Sequence, residues 1–251
     1  MSVTVHQFPC LDDNYGFLVR DDATGRTACI DTPDADAILR ELDRKGWSLD
    51  FILNTHWHSD HAGGNMAVKA ATGATIIAPA EVGEHGPVDL LVVDGDIVEM
   101  GETHWRVIDC GGHTLGHIAY YSPEARMLFA GDTLFPMGCG RVFEGTPEQM
   151  WTSLSRLASL PRNTLVYSAH EYTLSNARFA LSVDSSMAVR ERADRVTEAR
   201  QRGEPTVPTT IGEEQETNPF LRAPSLGLTS DTGDPVEAFA RVRAAKDVFR
   251  G

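Results

Sequence analysis

The chain has 251 residues, of which 36 are Asp or Glu and 22 are Lys or Arg, so its formal charge is −14 with the histidines neutral. This acidity argues against a nucleic-acid binder and against docking on anionic membranes, because basic surfaces bind the phosphate groups of both. An apolar content of 41% disfavours global disorder, and no apolar run approaches the roughly 20 residues that span a membrane.

The N-terminus and the cysteines predict a cellular compartment. Residues 1–6 lack the charged head and the apolar stretch of a signal peptide. Four cysteines are scattered along the chain, and none has the close spacing of a metal-binding pair. Because disulfide frameworks belong to oxidising compartments, we expect a reduced, cytoplasmic protein, and we expect it to be a monomer.

Strands and helices alternate through the first two thirds of the chain. Apolar runs bounded by turn residues predict the strands, and a helical apolar period predicts the helices. The predicted strands cover residues 3–8, 16–20, 27–31, 51–54, 74–78, 118–121, 127–129 and 165–168, with further strands between 90 and 108. The predicted helices cover residues 34–44, 65–71 and 148–160.

The sequence changes in character after about residue 172. The segment 204–222 holds three prolines among mostly polar residues, which predicts a long loop. We expect an α/β catalytic domain at 1–172 and a smaller, mainly helical domain at 173–251. Helical patterns cover residues 174–183, 186–201 and 235–250.

The densest group of metal-ligating side chains follows the predicted strand 51–54. His56, His58, Asp60 and His61 lie within six residues. His56 and His58 point to the same side if the segment is extended, because side chains alternate along extended backbone. Neutral imidazole and carboxylate ligands together suit zinc, iron or manganese. The alternative is a polar turn with incidental histidines.

Three more candidate ligands follow later strands. His113 comes after paired glycines, Asp132 follows the strand at 127–129, and His170 follows the strand at 165–168. Asp132 has two carboxylate oxygens and so could bridge two cations. His117 begins the next strand, and we interpret it as a core or hydrogen-bonded residue, with metal ligation as the alternative.

These side chains are too many for one catalytic zinc, which takes three protein ligands and a water. They divide into two sets of three with one bridging carboxylate. The pattern predicts a two-metal hydrolytic site, in which a bridging water becomes hydroxide near neutral pH. The candidate ligands are His56, His58, Asp60, His61, His113, Asp132 and His170.

At these residues the chain resembles the metallo-β-lactamase superfamily, whose His-x-His-x-Asp-His signature stands at 56–61. Within that superfamily it resembles glyoxalase II, the hydroxyacylglutathione hydrolases, over nearly its whole length. The histidine motif specifies only the superfamily, whereas the last three segments point to glyoxalase II, because most other branches lack this helical tail. The segments that carry the resemblance are 13–15, 112–117, 131–135, 139–145, 170–173, 218–222 and 242–247.

The resemblance implies an αββα sandwich with two divalent metal ions at one edge, followed by the helical domain. Zinc is favoured, with iron or manganese as alternatives. Asp60 and Asp132 are the implied catalytic carboxylates, and Asp60 would also orient the hydroxide. The implied ligands are His56, His58 and His113 for one metal, Asp60, His61 and His170 for the other, and Asp132 as the bridge.

The resemblance also implies a substrate class, the glutathione thioesters. S-D-lactoylglutathione would be hydrolysed to D-lactate and glutathione, which detoxifies methylglyoxal. A thioester carbonyl is electrophilic and a thiolate leaves well, so a metal-held hydroxide and a Lewis acid suffice without a Ser or Cys nucleophile. Arg141, Arg243 and Lys246 match the family's glutathione-binding basic positions, and Tyr172 matches a tyrosine that contacts the glutathione backbone.

Two positions near this basic set need separate interpretation. Phe143 stands where some family members place a tyrosine that contacts glutathione. Because one neutral hydrogen bond contributes about 0.5–1.5 kcal/mol, we expect glutathione affinity weaker by up to roughly tenfold, with the same reaction. We interpret Cys139, which lies near Arg141, as an inert structural thiol, with regulation as the alternative.

Other functions on the same scaffold stay open at this point. A lactonase or a β-lactamase would use a similar metal site, and a persulfide dioxygenase would use one iron. A flavin-partnered diiron oxidoreductase is disfavoured, because that branch has a Glu where His58 stands and this chain has no flavodoxin-like domain. The non-enzyme alternative is a metal-binding or scaffold protein that kept the fold and lost the activity. Degenerate ligands would signal such a protein, whereas this sequence retains all seven candidate ligands.

Overall fold

A computed structural model of the chain describes residues 2–226 and 233–251, so part of the predicted domain at 173–251 lies outside the described residues. Among the described helices, none has both the length and the apolar character needed to cross a membrane. Two compact units make up the chain. The first unit comprises Met1–Asp109 with Gly116–Gly131, and the second comprises Cys110–Leu115 with Asp132–Gly251. The predicted domain boundary at residue 172 stays a prediction.

The first unit contains ten strands and four helices among its described residues. Its strands are β1 (Val3–Cys10), β2 (Asn14–Asp21), β3 (Thr27–Ile30), β4 (Phe51–Leu53), β5 (Thr75–Ala78), β6 (Leu90–Leu91), β7 (Ile97–Met100), β8 (Thr103–Asp109), β9 (Ile118–Ser122) and β10 (Met127–Gly131). Its helices are α1 (Ala35–Lys45), α2 (Ser59–Ala62), α3 (Asn65–Thr72) and α4 (Ala80–His85).

The strands β1 to β6 form one sheet in sequential order. The pairs β1–β2 and β2–β3 are antiparallel, whereas β3 to β6 run parallel to one another. Parallel neighbours need crossover connections, and the four helices of this unit provide them. The carboxyl ends of β3 and β4 therefore lie at the same edge of the sheet. Asp31 and the His56–His61 segment follow these two strands at that edge.

The strands β7 to β10 form an antiparallel array that packs on the first sheet. The ring centroids of Phe17 and Phe129 are 5.5 Å apart across this interface. The buried Tyr120 hydroxyl donates to the Asn54 carbonyl oxygen at 3.0 Å. Aromatic burial and a satisfied hydroxyl thus join the two layers directly beneath the end of β4.

The other face of the β1–β6 sheet is covered by α1 and α3. The Asp34 side chain accepts from the Ala37 amide and begins α1, and Gly46 ends it in the left-handed region at φ 64°. Ile38 and Val68 are fully buried in the cluster that these helices form with the sheet. This apolar burial holds the strand ends that lead into the histidine-rich segment.

The second unit contains four short strands and five α-helices in its described part. The strands are β11 (Leu134–Phe135), β12 (Gly138–Cys139), β13 (Leu165–Ser168) and β14 (Thr209–Thr210). The helices are α5 (Pro147–Ala158), α6 (Thr173–Val183), α7 (Met187–Gln201), α8 (Ile211–Thr217) and α9 (Pro235–Val248), with a 3₁₀ turn at Ala223–Ser225. The pairs β11–β12 and β13–β14 are both antiparallel.

The prediction of one long loop over 204–222 is wrong. Strand β14 pairs with β13, and helix α8 follows it directly. The Thr210 side chain accepts from the Glu213 amide and so begins the helix. The three prolines lie before β14 or after α8, so they do not interrupt either element. The other predicted elements form, with ends that shift by a few residues. The short α2, α4, β11 and β12 were not predicted.

Candidate metal centre and cavity

Three histidines of the first unit converge after β4. The His56 and His61 rings are buried, and their centroids are 4.0 Å apart. His56 Nε2 lies 3.0 Å from His58 Nδ1, so the two side chains lie together as the extended-segment argument predicts. Ring nitrogens this close, on neutral side chains, are suited to sharing a cation.

Asp60 lies on the short helix α2, directly before His61. Its Oδ2 accepts from the Asn14 amide nitrogen at 3.2 Å and lies 3.6 Å from His61 Nε2. The Asp60 side chain is 37% exposed, whereas the His61 side chain is 1% exposed. Of these two candidate metal ligands, Asp60 is therefore the more accessible to solvent.

The buried Asp31 carboxylate fixes the orientation of the His61 ring. Its Oδ2 lies 2.9 Å from His61 Nδ1 and accepts from the Thr55 hydroxyl at 2.8 Å. Its Oδ1 accepts from the Thr55 amide at 2.8 Å. Because His61 Nδ1–H donates a hydrogen bond to Asp31, the ring is in the tautomer whose Nε2 carries no proton. Nε2 is therefore the atom that can bind a metal ion.

Asp31 was missed by the sequence reasoning, which treated it as the end of a strand. The available signal was a carboxylate that follows an apolar strand, as Asp132 does. That signal does not reveal its partner, because Asp31 and His61 lie far apart along the chain.

In the second unit, the Asp132 carboxylate lies between two imidazoles. Its Oδ2 is 3.4 Å from His113 Nε2, and its Oδ1 is 3.4 Å from His170 Nε2. Two donors about 3.4 Å apart match the spacing around a tetrahedral ion with bonds of roughly 2.1 Å. Each oxygen of Asp132 therefore faces a different histidine, which is the arrangement that a bridging ligand needs.

The His113 ring is oriented by a backbone carbonyl. Its Nδ1 donates to the Arg141 carbonyl oxygen at 2.9 Å, which leaves Nε2 as the acceptor. Gly112 has φ 140°, and a Cβ there would lie 2.8 Å from Met150 atoms. The paired glycines thus allow the loop before His113 to pass close to α5.

The described residues pass a chemical test for metal binding. Imidazole nitrogens and carboxylate oxygens suit zinc, iron and manganese. His117 is fully buried and stacks on His56, with ring centroids 4.7 Å apart, and does not belong to the potential ligand groups of the described chain. Within residues 2–226 and 233–251, the candidate ligand atoms belong to His56, His58, Asp60 and His61 in the first unit and to His113, Asp132 and His170 in the second.

A cavity of about 440 Å³ in the second unit is lined by both His113 and Asp132. It is also lined by all the residues that the resemblance implies for substrate binding. The ring of Phe143 lies 5.2 Å from that of His113, and the side chain is 60% exposed. The implied substrate-binding residues along its wall are Arg141, Phe143, Tyr172, Arg243 and Lys246.

Arg243 and Lys246 lie on α9 and have different surroundings. Arg243 is buried, pairs with Asp247 at 2.8 Å and donates to the Cys139 carbonyl oxygen at 3.1 Å. Lys246 Nζ donates to the Ser175 carbonyl oxygen and hydroxyl, both at 3.0 Å. Burial, together with the nearby Arg243 and Arg141 charges, lowers the pKa of Lys246 to about 8.

Burial dominates the state of the Cys139 thiol. It raises the pKa of Cys139 to about 11, against the opposing effect of the Arg243 charge. The thiol is therefore protonated at neutral pH, and a protonated thiol is a poor nucleophile. This agrees with the interpretation of Cys139 as an inert structural residue.

The Tyr172 ring stacks on the His170 ring. Their centroids are 4.7 Å apart, and the planes differ by 4°. Tyr172 is 38% exposed and lines the cavity, so it covers a candidate ligand on one side and faces the cavity on the other.

Comparison with known proteins covers almost the whole chain. The metallo-β-lactamase superfamily matches residues 17–170, and the hydroxyacylglutathione hydrolase C-terminus matches residues 171–249. A hydroxyacylglutathione hydrolase from Erythrobacter litoralis is 52% identical over 248 residues, covering 98% of this chain and 99% of its own. One from Maricaulis maris is 51% identical over 251 residues, covering 98% of each chain.

A solved structure shows the same fold. The crystal structure of ETHE1 from Myxococcus xanthus matches with a TM-score of 0.71 and 26% identity, covering 98% of this chain and 92% of that chain. The predicted fold class, a metallo-β-lactamase α/β fold with a helical C-terminal domain, is confirmed. The chain belongs to the hydroxyacylglutathione hydrolase family of the metallo-β-lactamase superfamily.

Proposed function

We propose that this protein is a metal-dependent thioester hydrolase that cleaves S-(2-hydroxyacyl)glutathione, typically S-D-lactoylglutathione, to D-lactate and glutathione. The relatives named hydroxyacylglutathione hydrolase support the reaction class. The main structural support for the proposal is the lining of one cavity. The cavity that contains His113 and Asp132 is lined by Arg141, Arg243 and Lys246. Candidate metal ligands and three cations thus line the same cavity on an otherwise acidic chain.

The fold and the His and Asp donor set imply divalent metal ions. We propose two, with zinc as the best match and iron or manganese as alternatives. The position of Asp132 between His113 and His170 supports its role as the bridge. The proposed ligands are His56, His58 and His113 for one ion, Asp60, His61 and His170 for the other, and Asp132 for both.

Two bound ions would supply a Lewis acid for the thioester carbonyl and lower the pKa of the attacking water. Asp60 is the more accessible of the two carboxylates. It would accept a hydrogen bond from that water and orient it. Hydrogen bonds to Asp31 and to the Arg141 carbonyl hold the His61 and His113 rings in the tautomer that leaves Nε2 free to bind a metal ion. The protein's own contribution is therefore orientation and charge.

The cationic wall accounts for recognition of the glutathione part. Glutathione carries carboxylates, which Arg141, Arg243 and Lys246 would bind through charge-assisted hydrogen bonds. Arg243 is held in place by Asp247 and the Cys139 carbonyl, so little side-chain freedom is lost when substrate binds. The Tyr172 hydroxyl would contact the glutathione backbone.

The four cysteines support a reducing compartment. They are scattered along the chain, and all of them are buried. We propose a cytoplasmic location and a monomeric state, as expected from the sequence.

Substrate discrimination tests the proposal. The zinc-loaded protein should hydrolyse S-D-lactoylglutathione with a kcat/KM roughly a hundredfold or more above that for a lactone or a cephalosporin, because a site built to bond polar groups discriminates against substrates that lack them. The loss of thioester absorbance measures the reaction. A preference for the lactone or the cephalosporin would contradict the proposed substrate class.

A further inference from the structure

A buried polar network lies beside His61 in the first unit. Thr32, Asn54 and Asn65 have exposed fractions of 0%, 0% and 6%. Asn65 Oδ1 accepts from the Thr32 hydroxyl at 2.7 Å and from Asn54 Nδ2 at 3.1 Å. In return, Asn65 Nδ2 donates to Asn54 Oδ1 at 2.8 Å. The two amides therefore fix each other's orientation.

This network converges on the main-chain carbonyl of His61. The carbonyl oxygen accepts from the Thr32 amide at 2.6 Å and from Asn54 Nδ2 at 3.2 Å, while the Thr32 hydroxyl, whose one proton goes to Asn65, lies 3.3 Å away. A carbonyl oxygen has two lone pairs, so these two donors saturate it. The backbone position of His61 is thus set by groups outside its own helix.

The helix that carries His61 cannot hold its own position. Helix α2 has four residues, and its N-terminus has no side-chain cap. So short a helix is unstable without tertiary contacts, because helix nucleation is unfavourable. Asp60 and His61 both lie on α2. Asn14 Nδ2 contacts the Asp60 carbonyl and carboxylate oxygens, and the contacts at the His61 carbonyl hold the helix at its other end. Asp31 fixes only the ring of His61, not the backbone.

The close approach that this arrangement needs is visible at Gly64. A Cβ at Gly64 would lie 2.6 Å from the Thr32 carbonyl oxygen, which no side chain tolerates without movement. The Gly64 amide donates to that oxygen at 3.0 Å. The segment after α2 is therefore packed directly onto Thr32, and the network lies within this packing.

We propose that Thr32, Asn54 and Asn65 are positioning residues for the metal ion at Asp60 and His61, an inference that rests on the proposed function. They act through the His61 carbonyl, not through contact with the ion. If the network served stability alone, apolar side chains of the same shape could replace it at little cost. Its donors instead meet at the backbone of a proposed ligand.

Asn65→Asp is the most direct test, because it keeps the shape and removes the Nδ2 donor. A carboxylate oxygen would then face Asn54 Oδ1, so Asn54 could not keep its present orientation without repulsion. Chelator competition on the full-length protein measures the affinity for zinc, and elemental analysis measures zinc per chain. We expect one of the two zinc ions to bind about 10–100-fold more weakly, while the other is retained.

A second variant, Thr32→Val, carries the test if Asn65→Asp does not fold. It replaces the hydroxyl with a methyl group. The hydrogen bond from the Thr32 main-chain amide to the His61 carbonyl oxygen stays intact. Its matched control is Thr103→Val, since Thr103 is 1% exposed and its hydroxyl donates to Asp21 at 2.7 Å. We expect Thr32→Val to weaken zinc binding and Thr103→Val to leave it unchanged, although both lower the unfolding temperature of the metal-free protein.

The outcomes separate the inference from the proposed function. If the wild-type protein bound no zinc, the proposed function itself would fail. If the wild type bound two zinc ions and Asn65→Asp and Thr32→Val bound both as tightly, the positioning role would be overturned. Equal weakening by Thr32→Val and Thr103→Val would likewise overturn it, because the effect would then follow stability alone.

Discussion

Lys246 is the residue whose charge responds most directly to pH in the cavity. Its neighbours Arg243 and Arg141 are cationic, and its side chain is partly buried between the Ser175 contacts and aromatic rings. Together these surroundings lower the pKa of Lys246 to about 8. Arginine stays charged at any working pH, so Lys246 is the cavity cation that titrates near neutrality.

The pH dependence of substrate capture follows from this pKa. Below pH 8 Lys246 is protonated and attracts the glutathione carboxylates, and above pH 8 it loses its charge. We expect kcat/KM for S-D-lactoylglutathione to fall as the pH rises through about 8. Lys246→Arg should remove this decline, because the guanidinium remains charged. An unchanged decline in Lys246→Arg would show that another group titrates.

Phe143 tests how much a single hydroxyl contributes to recognition. Its ring lines the cavity beside His113 and is 60% exposed, so a tyrosine would fit without repacking. We expect Phe143→Tyr to lower KM by up to roughly tenfold with little change in kcat, because one neutral hydrogen bond contributes about 0.5–1.5 kcal/mol. An unchanged KM in steady-state kinetics would contradict this expectation.

Among the secondary-structure elements, those missed from the sequence are the short ones. Strand β14 has two residues, and helix α2 has four. Hydrophobic periodicity cannot reveal an element only about one period long, and tertiary contacts decide whether such an element forms. The longer α8 was missed because proline content was read over the whole 204–222 segment, although the helix itself contains none.

Helix α8 is held by a buried ion pair with α7. The side chains of Arg192 and Glu214 are 4% and 0% exposed. Glu214 also accepts from the Met137 amide at 2.8 Å and from Asn218 at 2.9 Å, and Asn218 donates to the Gly138 carbonyl at 2.9 Å. This pair therefore also supports the β11–β12 hairpin, whose residues line the cavity.

Loss of the Glu214 charge should destabilise the protein strongly. Removing one partner of a buried pair costs about 3–5 kcal/mol, so Glu214→Gln should lower the free energy of unfolding by that amount. Arg195→Gln is the control, because Arg195 pairs with Glu213 at the surface and is 60% exposed. It should cost about 1 kcal/mol or less. Urea unfolding measures the free energy of unfolding of both variants. Equal losses of free energy would contradict the conclusion that the Arg192–Glu214 pair stabilises the protein more than the surface pair.

At the scale of the whole molecule, the net charge of −14 coexists with a cationic cavity. Composition alone excluded large anionic partners, but it could not locate three cations on one cavity wall. The metal ligands were predictable because their types and spacing are themselves the signal. Asp31, Asn54 and Asn65 were not, because common polar residues acquire their role only from long-range hydrogen bonds that a sequence does not display.

The central claim is that bound metal ions in this His and Asp set drive thioester hydrolysis. The most direct measurement is the turnover of S-D-lactoylglutathione by one preparation as purified, after complete chelation, and after zinc is restored, with metal per chain determined at each stage. Activity should disappear on chelation and return as two zinc ions per chain rebind. Turnover that persists in the fully metal-free protein, or that stays absent when both ions are bound, would contradict the claim.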